Sequence, residues 1–248
     1  MKKVLLLLFI PLVSFGQGEQ LYADGTDIDQ DGNTFEWINY GTQDWAIENA
    51  EVVRYRDGTI IPQVADATEW ISLTTGAWSY YNNDPSKGKL YNWYAVAGIH
   101  DNDESTPNKE FAPQGWHVPS DAEWTTLEEH LVANGYNYDG SSTGYKTGKS
   151  MASTTGWNSS TFLGAVGNDQ SLNNSSGFNA LPDGYFGHGD DASFYNDGYV
   201  AIFWSSTEYL TTPYARYLDR HNNYLYRNYS TKVDGFSVRF VRDASTAS

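Results

Sequence analysis

Apolar and polar residues alternate with a period of two in two separate stretches, which predicts strands. One is Thr34-Phe35-Glu36-Trp37-Ile38. The other lies near the end of the chain, where Phe236, Val238 and Phe240 alternate with Ser237, Arg239 and Val241, the pattern of a half-buried strand. Phe203-Trp204 followed by Ser205-Ser206-Thr207-Glu208 suits a strand running into a turn, and Trp45 to Val53 reads as a further strand after a turn at Gly41. The clearest helix is Ser120 to Asn134. Ser120 is its N-cap, Glu123 completes a capping box, and Pro119 precedes them. Trp124, Leu127, Leu131 and Val132 fall on one stripe, and Gly135 ends the helix. Lys89 to Ala97 is dense in aromatics and fits a buried strand or a short helix.

Between these elements the chain is rich in turns. Asp27-Ile28-Asp29-Gln30-Asp31-Gly32 opens like a calcium loop, but its twelfth position is Ile38, which has no carboxylate to offer. An Asp-Gly turn joining two strands is the better reading. Arg56-Asp57-Gly58-Thr59 is another turn, Ile60-Ile61-Pro62 a short edge segment, and Trp70 to Tyr81 is broken at Gly76. His100 to Glu110 has no apolar period and is expected to be an exposed excursion. Residues 140–179 are rich in Ser, Thr, Asn and Gly and predict few regular elements. There is no long repeat and no clear linker. The expected organisation is a signal peptide at 1–16, a flexible segment at 17–26, one domain at 27–243 and a tail at 244–248.

Composition sharpens the class. The chain has 248 residues, 16 % of them aromatic, with nine Trp and 23 Gly, and a mean hydropathy of −0.56. That predicts an α+β domain, strand- and loop-rich with one or two short helices. Lys2 and Lys3, the apolar run from Val4 to Val13 and Ser14-Phe15-Gly16 read as a secretory signal cleaved before Gln17. The apolar run is too short to span a bilayer, and no transmembrane segment is expected after cleavage. The protein is therefore expected to be secreted or held at the cell surface. With no cysteine, disulfides, thiolate metal sites and cysteine nucleophiles are excluded. A net charge of −16 argues against nucleic acid as a partner. The charge is uneven, because residues 216–242 carry six basic side chains against two acidic ones.

That basic region overlaps the candidate site. Six of the 19 tyrosines fall within residues 209–229. Tyrosine offers a large, rather rigid amphipathic contact, and asparagine adds adaptable hydrogen bonding. Tyr214, Arg216, Tyr217, Asp219 and His221 are candidate contact residues, together with Asn222, Asn223, Tyr224, Tyr226, Asn228 and Tyr229. The plainer alternative is a tyrosine-rich sheet surface with no ligand. Residues 209–231 also lack Glu, Gln, Lys, Met and Trp, types that supply 37 residues of the chain, where about three would be expected by chance. Those five are the types that randomising the adenines of an asparagine codon cannot produce.

Other motifs carry less. Gly140-Ser141-Ser142-Thr143-Gly144 has the spacing of a hydrolase nucleophile elbow, but no apolar strand precedes it. Gly148-Lys149-Ser150 ends like a phosphate loop whose first glycine would have to stand at Thr143. His100, His117, His130, His188 and His221 show no local metal spacing. A glycosidase-like carboxylate pair stays open among 31 acidic residues.

Several segments together resemble a known family. These are Gly115-Trp116-His117-Val118-Pro119-Ser120-Asp121-Ala122-Glu123-Trp124, Leu90-Tyr91-Asn92-Trp93-Tyr94-Ala95-Val96, Ser176-Gly177-Phe178-Asn179-Ala180-Leu181-Pro182, Trp204-Ser205-Ser206-Thr207-Glu208 and Gly235-Phe236-Ser237-Val238-Arg239. Upstream, residues 43–49 and 55–59 fit as well, and the order is kept from about Asp27 to Asp243. The chain resembles the Fibrobacter succinogenes major paralogous domain. It departs at Ala46-Ile47, where a Met-Ala pair is usual, and in the insertion at 100–110. The resemblance implies an exported bacterial protein with a C-type-lectin-like fold related to formylglycine-generating enzymes, whose catalytic cysteines have no counterpart here. Some lectin-like proteins of this kind are the variable proteins of diversity-generating retroelements, mutated at adenines in C-terminal loops.

The expected function is thus a non-catalytic ligand-binding domain without a cofactor, calcium being left open, whose partner is a cell-surface protein or a glycan. A secreted hydrolase using a carboxylate pair and a structural cell-surface module are the alternatives.

Overall fold

A computed structural model describes residues 23–189 and 192–245. The expected signal peptide, most of the segment 17–26 and the last three residues of the tail lie outside the described residues. The first strands form a hairpin. β1 (Gly25–Ile28) pairs antiparallel with β2 (Thr34–Tyr40), so the flexible segment expected up to residue 26 already enters the sheet at Gly25. The turn between them is the Asp-Gly turn. Asp29 Oδ1 accepts the amides of Asp31 and Asn33, each at 2.9 Å, and Asp31 pairs with Arg54 at 2.5 Å. The carboxylates of the calcium-like loop are spent on the loop itself, on Arg54 and, for Asp27, on Arg242 and Trp116.

β3 (Gln43–Ala46) extends this sheet and β11 (Val241–Asp243) closes it, giving the order β1-β2-β3-β11. The first and last described strands therefore lie in one sheet. Of the strand expected from Trp45 to Val53 only the start is regular, because the ladder passes from β3 to the last segment of the chain. Lys89 to Ala97 resolves into both of its alternatives: β5 (Lys89–Tyr91), paired with β4 (Trp78–Tyr80), and the one-turn helix α2 (Trp93–Val96). Asn92 divides them. Its side chain accepts the amides of Ala77 and Ala95, both at 3.0 Å, and caps α2. Another single turn, α1 (Ala67–Trp70), precedes β4.

The long helix is α3 (Asp121–Ala133), with the capping box of Ser120 and Glu123 in place. Its buried face carries Trp124, Leu127 and Leu131 as expected, but with Glu128 where the stripe predicted Val132, which is half-buried. Residues 140–179 are mostly irregular, holding only the short helix α4 (Gly148–Met151) and a single 3₁₀ turn. Lys149 of the phosphate-loop-like triplet is buried. Its ammonium donates to the carbonyls of Asn168 and Asp169 and to Asn173 Oδ1. The chain then forms β6 (Tyr185–Gly187) with β7 (Ser193–Tyr195), and the three-stranded sheet β10-β9-β8, made of β8 (Val200–Tyr209), β9 (Thr212–Asp219) and β10 (Tyr226–Tyr229). The domain is mostly sheet with few short helices.

Residues 235–241 are buried on both sides, which corrects the half-buried strand expected there. This segment bonds successive partners. Phe236 exchanges amide bonds with Tyr91, Ser237 donates to Ile202, and the amides of Ala50 and Ala46 donate to Val238 and Phe240. The alternate face is polar because it is filled by one arginine. Arg239 is 1 % exposed, and its guanidinium donates to the carbonyls of Ala46, Phe178 and Asn179, each at 3.1 Å, and to Asn49 Oδ1 at 2.8 Å. It lies over the rings of Phe178 and Phe203 at 4.7 and 5.4 Å. Burial lowers its pKa to about 10. Around it Trp45, Trp124, Phe178 and Phe203 form a fully buried aromatic cluster, each ring contributing about 2–3 kcal/mol by removal from water.

Candidate binding face

The sheet of β8, β9 and β10 carries the candidate residues. β8 does not turn at Ser205–Glu208 as the sequence suggested. It runs on to Tyr209 with a bulge, since Trp204 pairs with Ala215 and the next register pair is Glu208 with Pro213. The turn comes at Leu210-Thr211, where Leu210 holds φ +59° and is 85 % exposed. A leucine in the left-handed region carries strain that Asn or Gly would avoid.

Strand alternation divides the candidates between two sides of one sheet. On one side stand Val200 and Ile202 of β8, Ala215, Tyr217 and Asp219 of β9, and Tyr226 and Asn228 of β10. Tyr217 and Tyr226 are directly cross-strand and stack with centroids 4.4 Å apart and planes within 4°. Tyr224 adds a third ring 4.2 Å from Tyr226, and its hydroxyl donates to that of Tyr226 at 2.7 Å. Burial raises the pKa of both Tyr217 and Tyr226, helped in each case by the Asp219 charge. Beside this cluster a cleft of about 320 Å³ is bordered by Tyr185, Tyr217, Asp219 and Asn228.

The other side meets α3, and here one candidate is lost. Arg216 is 2 % exposed and cannot contact a partner. Its guanidinium donates to Asp121 Oδ1 at 2.8 Å and Thr125 Oγ1 at 2.9 Å, and it lies 3.7 Å from Glu128. The basic residue of this side that does reach the surface is Arg227, absent from the sequence-based set. It stacks 3.9 Å from the centre of the Tyr214 ring while donating to Asp121 at 2.8 Å. Tyr209 lies 6.0 Å from Tyr214 and 6.1 Å from Tyr229, so these three rings form a second group near the Leu210 turn, with Tyr209 and Tyr229 exposed and Tyr214 half-buried. Tyr214 and Tyr229 are thus brought together as a cross-strand pair, and Tyr229 also borders the cleft that Tyr217 lines.

The connection between β9 and β10 holds His221, Asn222, Asn223 and Tyr224. Its main chain is pinned: the carbonyls of Asn222 and Asn223 accept the amides of Val166 and Gly148 at 2.9 and 2.8 Å, and Leu225 is buried in the core. Asp219 Oδ1 accepts the His221 amide at 2.7 Å. A Cβ on Gly148 would stand 2.9 Å from the carbonyl carbon of Asn223, so glycine is required for this approach. The His221 ring contacts Ser160 Oγ at 3.0 Å and packs edge-on against Phe162, which is 60 % exposed and extends the surface from a distant loop. Phe162 and Tyr185 were missed because nothing local marks them. An apolar pair, Phe162-Leu163, inside a Ser/Thr/Gly-rich stretch is the one signal available for the former.

Among the described residues no group of three or more His, Cys, Asp or Glu is placed to hold a metal ion, and no helix is long and apolar enough to cross a membrane. The family description of the Fibrobacter succinogenes major domain matches residues 38–242. The chain belongs to this family. The segments that resembled the Fibrobacter succinogenes major domain in the sequence lie in the scaffold and not on the tyrosine clusters. Trp204 Nε1 donates to the Tyr91 carbonyl at 2.7 Å, Trp93 Nε1 to the Ser205 carbonyl at 3.0 Å, and Arg239 joins residues 46, 178 and 179. No curated protein and no solved structure matches the chain.

Proposed function

We propose that this member of the family is an exported, non-catalytic ligand-binding domain with a C-type-lectin-like arrangement, which presents the β9–β10 region to a cell-surface protein or a glycan. The observation that carries the reading is a tyrosine cluster in which Tyr224 is exposed and Tyr217 and Tyr226 are half-buried. Tyr217, Tyr224 and Tyr226 pack on one another at the surface, outside the three buried core clusters. Surface aromatics gathered in this way are the usual anchors of interfaces. The pinned main chain of the 220–225 connection supports the reading further, because side chains there can change while the path is held. That property, with the composition of residues 209–231, also supports diversification of this segment.

The test is binding of the secreted chain and of a Tyr224→Ala/Tyr226→Ala variant to arrays of glycans and of bacterial surface proteins. The expected result is a signal for the parent chain that the variant loses while its thermal unfolding midpoint is kept. An equal signal from the variant overturns the assignment.

A further inference from the structure

The cleft beside the stacked tyrosines has a chemistry that narrows what it can accept. Its buried floor is apolar, formed by Val200, Ala215 and Phe236, with Ile202 half-buried beside them. Tyr185 and Tyr217 stand over it. The ring of Tyr185 packs on Phe236 at 5.9 Å, and Tyr217, stacked on Tyr226 across β10, faces Ile202 across β8. One end is acidic. Asp219 borders the cleft, its Oδ1 is engaged by the His221 amide, and no described residue occupies its Oδ2. None of the described lining residues is Lys, Arg or His.

Resting on the reading above, we propose that this cleft binds a basic side chain, a lysine or arginine, of a partner protein. The stem of such a side chain is apolar and its head is cationic, which matches an apolar floor leading to tyrosine rings and a free carboxylate oxygen. At about 320 Å³ the cleft is at the small end of ligand sites and suits a single side chain. A neutral saccharide would use the tyrosines but would gain nothing from the carboxylate's charge.

The experiment titrates the full secreted chain with N-acetyl-lysine methylamide, observed by NMR at the tyrosine rings. Controls are the norleucine analogue, which has the stem without the charge, and a neutral methyl hexoside. The lysine compound is expected to bind about tenfold more tightly than the norleucine one in about 20 mM salt, and to weaken in about 300 mM salt. Asp219→Asn keeps the acceptor for the His221 amide and removes the charge, so it should lose about tenfold without unfolding. The inference is overturned by equal binding of lysine and norleucine compounds, by tighter binding of the hexoside, by an unchanged Asp219→Asn variant, or by silence from every probe. Tyr224 and Tyr226 do not line the cleft. A partner lost in Tyr224→Ala/Tyr226→Ala with the lysine probe silent would therefore retire the cleft and leave the binding face standing.

Discussion

Two buried arginines hold two regions of this domain, and they do so with opposite kinds of partner. Arg239 is satisfied by three main-chain carbonyls and an asparagine, all neutral, gathered from segments as far apart as residues 46 and 179. Arg216, under the tyrosine-bearing sheet, is satisfied mainly by side chains, the carboxylates of Asp121 and Glu128 and the hydroxyl of Thr125, together with the Asp121 carbonyl, all on α3. The first reads the path of the backbone and the second reads particular side chains. The scaffold is therefore fixed by the shape of the main chain around one guanidinium. The sheet is fixed by a short list of acidic residues on one helix, leaving its outward side chains outside the arrangement.

The comparison is broken most severely at Arg239. Arg239→Met leaves three buried carbonyls and Asn49 without donors, and the expected loss is about 3–5 kcal/mol, read as a lower urea midpoint at unchanged slope. A loss below about 1 kcal/mol would mean the scaffold does not depend on this residue. Glu128 sharpens the other half. Burial raises its carboxyl from an ordinary 4.5 to about 7, against the pull of Arg216. The folded state thus keeps a proton that the unfolded chain releases between those values, so this group favours folding below the window and the advantage is lost as pH rises through it. Glu128→Gln should stabilise the domain by about 1 kcal/mol at pH 8 and leave it unchanged near pH 5, in chemical denaturation at the two pH values. A gain at both would mean the carboxyl is charged throughout. The smallest effect belongs to the surface: Tyr229→Ala, 57 % exposed in the parent, should stay within about 0.5 kcal/mol in the same assay.

What could be read from the sequence follows the same division. The helix at Asp121–Ala133 was legible because its capping box and terminal glycine act locally. The β1–β2 turn was legible for the same reason. The C-terminal segment was legible as extended but not as buried, since Arg239 on an alternating stretch looks like a solvent-facing residue until its carbonyl partners arrive from other segments. The turn at Leu210 was hidden by a residue type that avoids its conformation. For the site, the tyrosine-rich window stood out by composition, and its division into two sides was already present in the parity of residues 214, 216 and 218 against 215, 217 and 219. That parity puts Arg216 on the side facing α3, whereas Phe162 and Tyr185 come from other parts of the chain and cannot be placed from the window itself.

The alternation of β9 also limits how this surface can evolve. Replacing a side chain at 217, 219 or 228 changes what the cleft offers and leaves its neighbours where they were. Inserting or deleting one residue before 216 would rotate the rest of the strand by half a turn, moving Tyr217 toward α3 and turning Arg216 away from Asp121. A loop can grow or shrink to explore new shapes, but this sheet can vary only letter for letter.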